Sequence, residues 1–126
     1  MTEALFASCR DVVLTVDPGG LSNLPHCHSV EDELFVVVRG GCALELLHSD
    51  GTAESHPVHP GHVVSRPAGT GVSHTFGAGD DGLELLAYGL RDPSDMCFYP
   101  RSGKIAFGGL DVVVRVQRVD YWDGEE

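Results

Sequence analysis

Short runs rich in Val and Leu recur along the chain, with turn-forming residues between them. "DVVLTV" covers 11–16, "ELFVVVR" 33–39 and "CALELLH" 42–48; "HVVSRP" covers 62–67, "LELLAYGL" 83–90 and "DVVVRVQRV" 111–119. The separators "DPGG", "RGG", "SDG", "HPG", "GAGDDG" and "RSGK" combine residues that favour tight turns. No long stretch keeps a helical period free of Gly and Pro, and "TEALFA" suits one helical turn at most. The connections are too short for crossover helices, which argues against a doubly wound parallel sheet. The pattern predicts an antiparallel all-β sandwich or barrel, with residues 1–126 forming one domain.

"LFVVV" (34–38) has no polar alternation. Period 2 sends Glu33, Phe35 and Val37 to one face, and Leu34, Val36 and Val38 to the other. Two arrangements suit such a strand: both faces lie inside the protein, or one faces the core and the other a second copy of the chain. A homodimer is expected on that ground. "RVDYWDGEE" closes the sequence, with Trp122 expected against the barrel wall.

Composition narrows the partners. The 126 residues are 42% hydrophobic, and 16 glycines and 7 prolines fit a turn-rich fold. Eight basic against 19 acidic residues give a formal charge of -11. That balance, with no basic stripe, argues against nucleic acid or an anionic membrane as partner. Every apolar run is too short to span a bilayer. Cys9, Cys27, Cys42 and Cys97 are widely spaced, and "MTEALFASCR" lacks the apolar run of a signal peptide. Reduced thiols and a cytoplasmic location are expected.

The candidate chemistry begins at "HCHSVEDE", residues 26–33. On a strand His26 and His28 share a face and Cys27 takes the other. Glu33 follows His28 at an odd offset, so the chain must bend within "SVED" if Glu33 is to join them. "PAGTGVSH" (67–74) then delivers His74 to the start of a later strand, on the same face as Phe76.

These residues resemble the cupin superfamily. Its first motif is Gly, five residues, His-x-His, three or four residues, Glu, six residues, Gly; here it reads Gly20, "LSNLP", His26, Cys27, His28, "SVED", Glu33, "LFVVVR", Gly40. The second motif is Gly, five residues, Pro-x-Gly, two residues, His, three residues, Asn; here it reads Gly61, "HVVSR", Pro67, Ala68, Gly69, "TGVS", His74, "TFG", Ala78. It departs from the family at two points: four residues precede His74, and Ala78 replaces Asn. "PAGTGVSH", "RDPSDMCFYPRSGK" and the "YWDGE" end are similar to one uncharacterised branch of the family. The resemblance implies a double-stranded β-helix, a jelly-roll barrel. It also implies one metal ion held by His26, His28, Glu33 and His74. Three imidazoles and one carboxylate suit divalent Fe, Mn, Ni, Zn, Co or Cu without choosing among them.

The remaining candidates carry less. His48, His56, His59 and His62 read as solvated loop or turn positions between the motifs, Glu31 and Asp32 as solvated acids, and "DDG" (80–82) as a hairpin turn. Phe35, Arg66, Phe76, Tyr88, Phe98 and Tyr99 are candidates for the mouth of a barrel or for its core. Arg66 suits either a substrate carboxylate or a surface ion pair. "PRSGK" lacks the spacing of a phosphate-binding loop. No catalytic residue beyond the metal set is singled out. Two functions stay open: a metal-dependent enzyme acting on a small molecule (an oxygenase, isomerase or decarboxylase), and a non-catalytic metal-containing module that binds or senses a small ligand.

Overall fold

A computed structural model of the protein describes residues 9–125. The N-terminal "TEALFA" segment lies outside the described residues. Nine strands follow one another: β1 (Cys9–Val16), β2 (Cys27–His28), β3 (Glu33–Leu47), β4 (Ala53–Val58), β5 (Val63–Arg66), β6 (Ser73–Leu90), β7 (Met96–Tyr99), β8 (Lys104–Phe107) and β9 (Val112–Arg115). No α-helix occurs among the described residues, and no helix is long and apolar enough to cross a membrane. All pairings are antiparallel. One sheet runs β1-β6-β3-β4, with β5 beside the first part of β3; the other runs β2-β7-β8-β9. This is the expected all-β architecture, two curled sheets of the double-stranded β-helix kind.

Two predicted turns are instead bends within strands. "RGG" lies inside β3 and "GAGDDG" inside β6, so the runs 33–39 and 42–48 merge into one strand of 15 residues, and the strand expected from His74 merges with the run 83–90 into one of 18. The two strands turn the corner together through register shifts between Val37 and Arg39 and between Gly40 and Cys42. Such bulges bend a strand without ending it. Gly40 has φ +85°, and a Cβ there would lie 2.2 Å from the carbonyl oxygen of Gly82. Only glycine lets the two backbones approach so closely. Pro57 sits in β4 at the edge of its sheet, where a missing N–H leaves no central ladder broken.

Alternation divides β3 as expected. Phe35 and Val37 are buried, whereas Leu34 and Val38 are exposed. The inner face joins Val16, Leu44, Val58, Phe76, Leu83 and Leu85 in one apolar core. Each such side chain contributes roughly 1.5–3 kcal/mol on leaving water. The outer face carries a cross-strand row, Val13–Leu86–Val36–Val63, across β1, β6, β3 and β5. Of the two arrangements open for "LFVVV", the structure has one face in the core and the other bare: Val13 and Val63 are 61% and 60% exposed.

The C-terminal part departs from expectation. The run predicted over 111–119 is a strand only at Val112–Arg115. Trp122 is 69% exposed and stacks edge-on against Tyr121 rather than packing on the barrel wall. The sequence did not suggest β4, which carries His56 where a loop or turn was expected, nor β7 and β8, which flank the "PRSGK" turn.

Candidate metal centre and cavity

Both motifs feed one spot at the open end of the core. His26 forms a bridge with His74, each backbone N–H donating to the other's carbonyl (3.2 and 2.9 Å). This crossing joins β2 to the start of β6 and so links the two sheets. Segment 29–32 bends as the odd offset required. Val30 N–H and Glu31 N–H both donate to Oδ1 of Asp95, at 2.9 and 3.1 Å. The "PAGTGVS" turn closes on the same bend: Ala68 N–H donates to Asp32 (2.8 Å) and Gly69 N–H to the His28 carbonyl (2.9 Å). Gly69 and Gly71, both at positive φ, absorb the two extra residues of this turn, and His74 still arrives beside His26.

A single oxygen of Glu33, Oε1, lies 3.5 Å from His26 Nε2, 3.1 Å from His28 Nε2 and 3.4 Å from His74 Nε2. Glu33 Oε1 and His74 Nε2 are buried and have no hydrogen-bond partner. Orphaned buried polar atoms are uncommon and call for an explanation. An ion with bonds of about 2.1 Å sets neighbouring donors about 3.0 Å apart at right angles and about 3.4 Å apart in a tetrahedron. The three distances from Glu33 Oε1, 3.1–3.5 Å, lie close to that range, and donor atoms of His26, Glu33 and His74 come within 4.8 Å of one another, so these groups fit a divalent transition metal, with His28 Nε2 beside the same oxygen.

The ring tautomers suit this use. His26 Nδ1 lies 2.8 Å from the carbonyl of Leu24, which can only accept, so Nδ1–H donates and Nε2 keeps its lone pair. His28 Nδ1–H donates to Oδ2 of Asp95 at 2.7 Å, which again leaves Nε2 for the centre. Phe35 and Phe76 floor the site, with the Phe35 ring 5.3 Å from that of His74.

The charges of the cluster act on one another. Burial opposes a charge on His28, but the carboxylates of Glu33 (3.1 Å) and Asp95 (2.7 Å) outweigh it and raise its pKa from 6.5 to about 9. Burial also opposes a charge on Glu33, yet His26 and His28 hold its carboxyl well below the usual range. Burial drives His74 down to about 3, so it stays neutral, as a ligand must.

β7 backs the histidines with a layer that the sequence did not reveal. Asp95 stands just before β7, and Cys97 and Tyr99 follow at alternate positions within it; Cys97 is directly opposite His28, and the Tyr99 ring lies 5.8 Å from that of His26. Donor atoms of Cys97, His26 and His28 come within 4.8 Å of one another, as do those of His28, Glu31 and Asp95. The Cys97 thiol is buried, and that burial pushes it up to about 12, which keeps it protonated. Cys27 and Cys97 are free. No local pattern marks Asp95, because its partners His28, Val30 and Glu31 lie 64 to 67 residues away in sequence.

Other candidates fall elsewhere. Glu31 is half-buried rather than solvated: it accepts the Asp92 N–H at 2.9 Å, with its other oxygen 3.7 Å from His28 Nδ1. Arg66 points inward, donates from Nη2 to the Val72 carbonyl (3.0 Å) and has a buried Nε with no partner. It is therefore neither a surface ion pair nor part of the large cavity. With Cys27, Glu33 and His74 it borders a void of about 10 Å³, room for about one water. Tyr88, on β6, lies opposite the exposed Leu34 yet borders the large cavity beside the cluster, whereas Phe98 faces away from the histidines under Arg118. His48 and His56 contact Glu54, and His59 pairs with His62 in a turn. None of the four reaches the centre.

Beside the cluster opens a cavity of about 570 Å³. His28 and Glu33 stand at its inner end. Val12, Leu14 and Ala87 form an apolar wall, and Asn23, Glu31 and Arg91 bring polar groups. Its size is that of a small-molecule site.

A family model described as a cupin domain matches residues 12–88. The chain belongs to the cupin family. A search of curated proteins finds no match. Among solved structures, one described as a candidate sugar phosphate isomerase from Acidithiobacillus ferrooxidans is 25% identical, with TM-score 0.73 over 89% of this chain and 73% of that one. A sugar phosphate isomerase from a cupin superfamily, from Silicibacter pomeroyi, is 26% identical, with TM-score 0.72 over 86% of this chain and 68% of that one. Oxalate decarboxylase from Bacillus subtilis is similar at 22% identity and TM-score 0.56, over 66% of this chain but only 21% of that one. That last likeness speaks for the fold alone.

Proposed function

We propose that the protein is a metal-dependent enzyme acting on a small, oxygen-rich molecule, with one divalent transition ion held by His26, His28, Glu33 and His74. The observation that carries this reading is the convergence of three Nε2 atoms on one Glu33 oxygen beside an open cavity. Isomerisation of a sugar-like compound is the favoured reaction, supported by the likeness to the two isomerase structures. A bound ion supplies Lewis acidity toward a carbonyl or hydroxyl oxygen. The chain's own groups do the rest. Glu31 and Asn23 offer acceptors and donors to hydroxyl groups, while Leu14 and Ala87 exclude water from one side. A metal-loaded preparation tested against a panel of aldoses, ketoses and their phosphates, with product followed by NMR, tests the reading. Tight binding of such a compound without turnover favours the binding module instead.

The functional unit in this proposal is a homodimer built on the outer face of the β1-β6-β3-β5 sheet. The row Val13–Leu86–Val36–Val63 is uncharged on a chain of net charge -11. Two copies can meet there without apposing carboxylates, and burial of the row supplies the driving force.

A further inference from the structure

We propose that Asp95 is a positioning residue that assembles the metal centre from outside it, by fixing the tautomer of His28 and by clamping the bend that turns Glu33 toward the histidines. The inference rests on the metal-binding reading above. It goes beyond that reading in assigning a role to a residue outside both sequence motifs.

Asp95 is 5% exposed and lies 67 residues from His28 in sequence. Each of its oxygens has a task. Oδ1 accepts the N–H groups of Val30 and Glu31, the two amides at the middle of the 29–32 bend. Without that bend, Glu33 would fall on the opposite strand face from His26 and His28. Oδ2 accepts the Nδ1–H of His28 at 2.7 Å. A neutral imidazole carries one N–H; Asp95 lies 2.7 Å from Nδ1 and Glu33 3.1 Å from Nε2, so the shorter contact holds the N–H on Nδ1 and leaves the lone pair on Nε2. Nε2 is the atom that faces Glu33 Oε1. Because both Asp95 oxygens are already engaged by donors, Asp95 supports the centre rather than joining it. Outer partners of this kind orient a ligating histidine and raise its basicity.

Asp95→Asn separates the two tasks. The amide keeps one oxygen, and the backbone donors of Val30 and Glu31 can be satisfied only by that oxygen. The amide NH2 then faces His28 Nδ1. Two donors cannot bond each other, so the imidazole must present an acceptor at Nδ1 and carry its proton on Nε2. The bend survives and the ligand atom is blocked. A residue with a merely structural role would tolerate this near-isosteric change.

The test combines metal affinity with a direct reading of the ring. Zinc affinity is measured by chelator competition for the wild type, Asp95→Asn and His28→Ala. Two-bond ¹H–¹⁵N NMR reports the His28 tautomer in the metal-free protein above its pKa of about 9, where the ring is neutral. The expected result is Nδ1–H in the wild type, Nε2–H in Asp95→Asn, and a loss of about 10–100-fold in zinc affinity for Asp95→Asn. Wild-type affinity in Asp95→Asn, or an Nε2–H tautomer in the wild type, overturns the proposal. The wild-type tautomer decides by itself if Asp95→Asn does not fold. Failure of the wild type to bind zinc or any other transition ion would sink the metal reading, while the tautomer would still decide the role of Asp95.

Discussion

Glu33 stands opposite Arg66 in the β3–β5 ladder, yet its carboxylate turns to three imidazoles and not to the guanidinium. Among the described residues the two form no ion pair, and Arg66 instead donates to the Val72 carbonyl. The Glu33 charge is therefore spent on the histidine cluster. Glu33→Gln should remove the strongest support for the His28 charge at Nε2. The His28 pKa should then fall from about 9 toward its ordinary value, as followed by NMR titration of the imidazole C–H signals in metal-free protein. A pKa that stays near 9 in Glu33→Gln would mean that Asp95 alone sustains it.

The same raised pKa sets a pH window for metal binding. His28 must surrender its Nε2 proton to become a ligand, so protons compete with metal up to about pH 9, well beyond the ordinary histidine value of 6.5. For one proton, affinity should rise about tenfold per pH unit below that point and then level off. In metal-free protein the sign is opposite. The folded-state pKa exceeds the unfolded one, so the contribution of His28 is complete below 6.5 and is lost as pH rises through about 9. The gain in Tm on adding metal should therefore widen between these limits. A gain that is flat with pH would contradict this proton exchange.

At the corner of the two long strands, Gly40→Ala is expected to be costly. The positive φ strains any side chain, and the added Cβ would meet the Gly82 carbonyl at 2.2 Å. The loss should be about 1–3 kcal/mol or more, measured by urea unfolding of metal-free protein. Gly51→Ala has φ +89° but open space around it, and it should cost less. Equal losses would show that conformation alone matters at this corner.

The dimer face makes a separate prediction. Val63 is exposed on β5 at the end of the apolar row. Val63→Glu should give a monomer by light scattering with unchanged circular dichroism, while the wild type gives twice the chain mass. A wild type that remains monomeric at micromolar concentration removes the proposed dimer.

The fold was largely legible in the sequence, and the four residues that meet at Glu33 Oε1 were named there through the resemblance to the cupin motifs. Val/Leu runs report strands because burial of one face requires them. His26 and His28 share a face by period alone, and the odd offset across "SVED" requires a bend if Glu33 is to join them. Glycines misled at "RGG" and "GAGDDG". There they mark a bulged corner where two backbones touch, and glycine allows a bend as readily as an end. β7 escaped notice because "MCFY" is short and its partner β2 has only two residues. Asp95 was illegible for a deeper reason. Its function lies in contacts 64 to 67 residues away, which no local pattern encodes. Trp122 departs from expectation because an aromatic side chain does not by itself create a surface to cover it, and the fold leaves it 69% exposed.

The central claim is that His26, His28, Glu33 and His74 hold one ion together, and metal content per chain tests it most directly. Protein purified without added metal, and then again after loading with a divalent transition metal, is measured by elemental analysis for the wild type, His28→Ala, His74→Ala and His59→Ala. About one ion per chain is expected in the wild type and in His59→Ala, whose imidazole lies in the exposed 59–62 turn, with occupancy largely lost in the other two. Unchanged occupancy in His28→Ala and His74→Ala would contradict the assignment, and loss in His28→Ala alone would put His74 outside the ion's coordination shell.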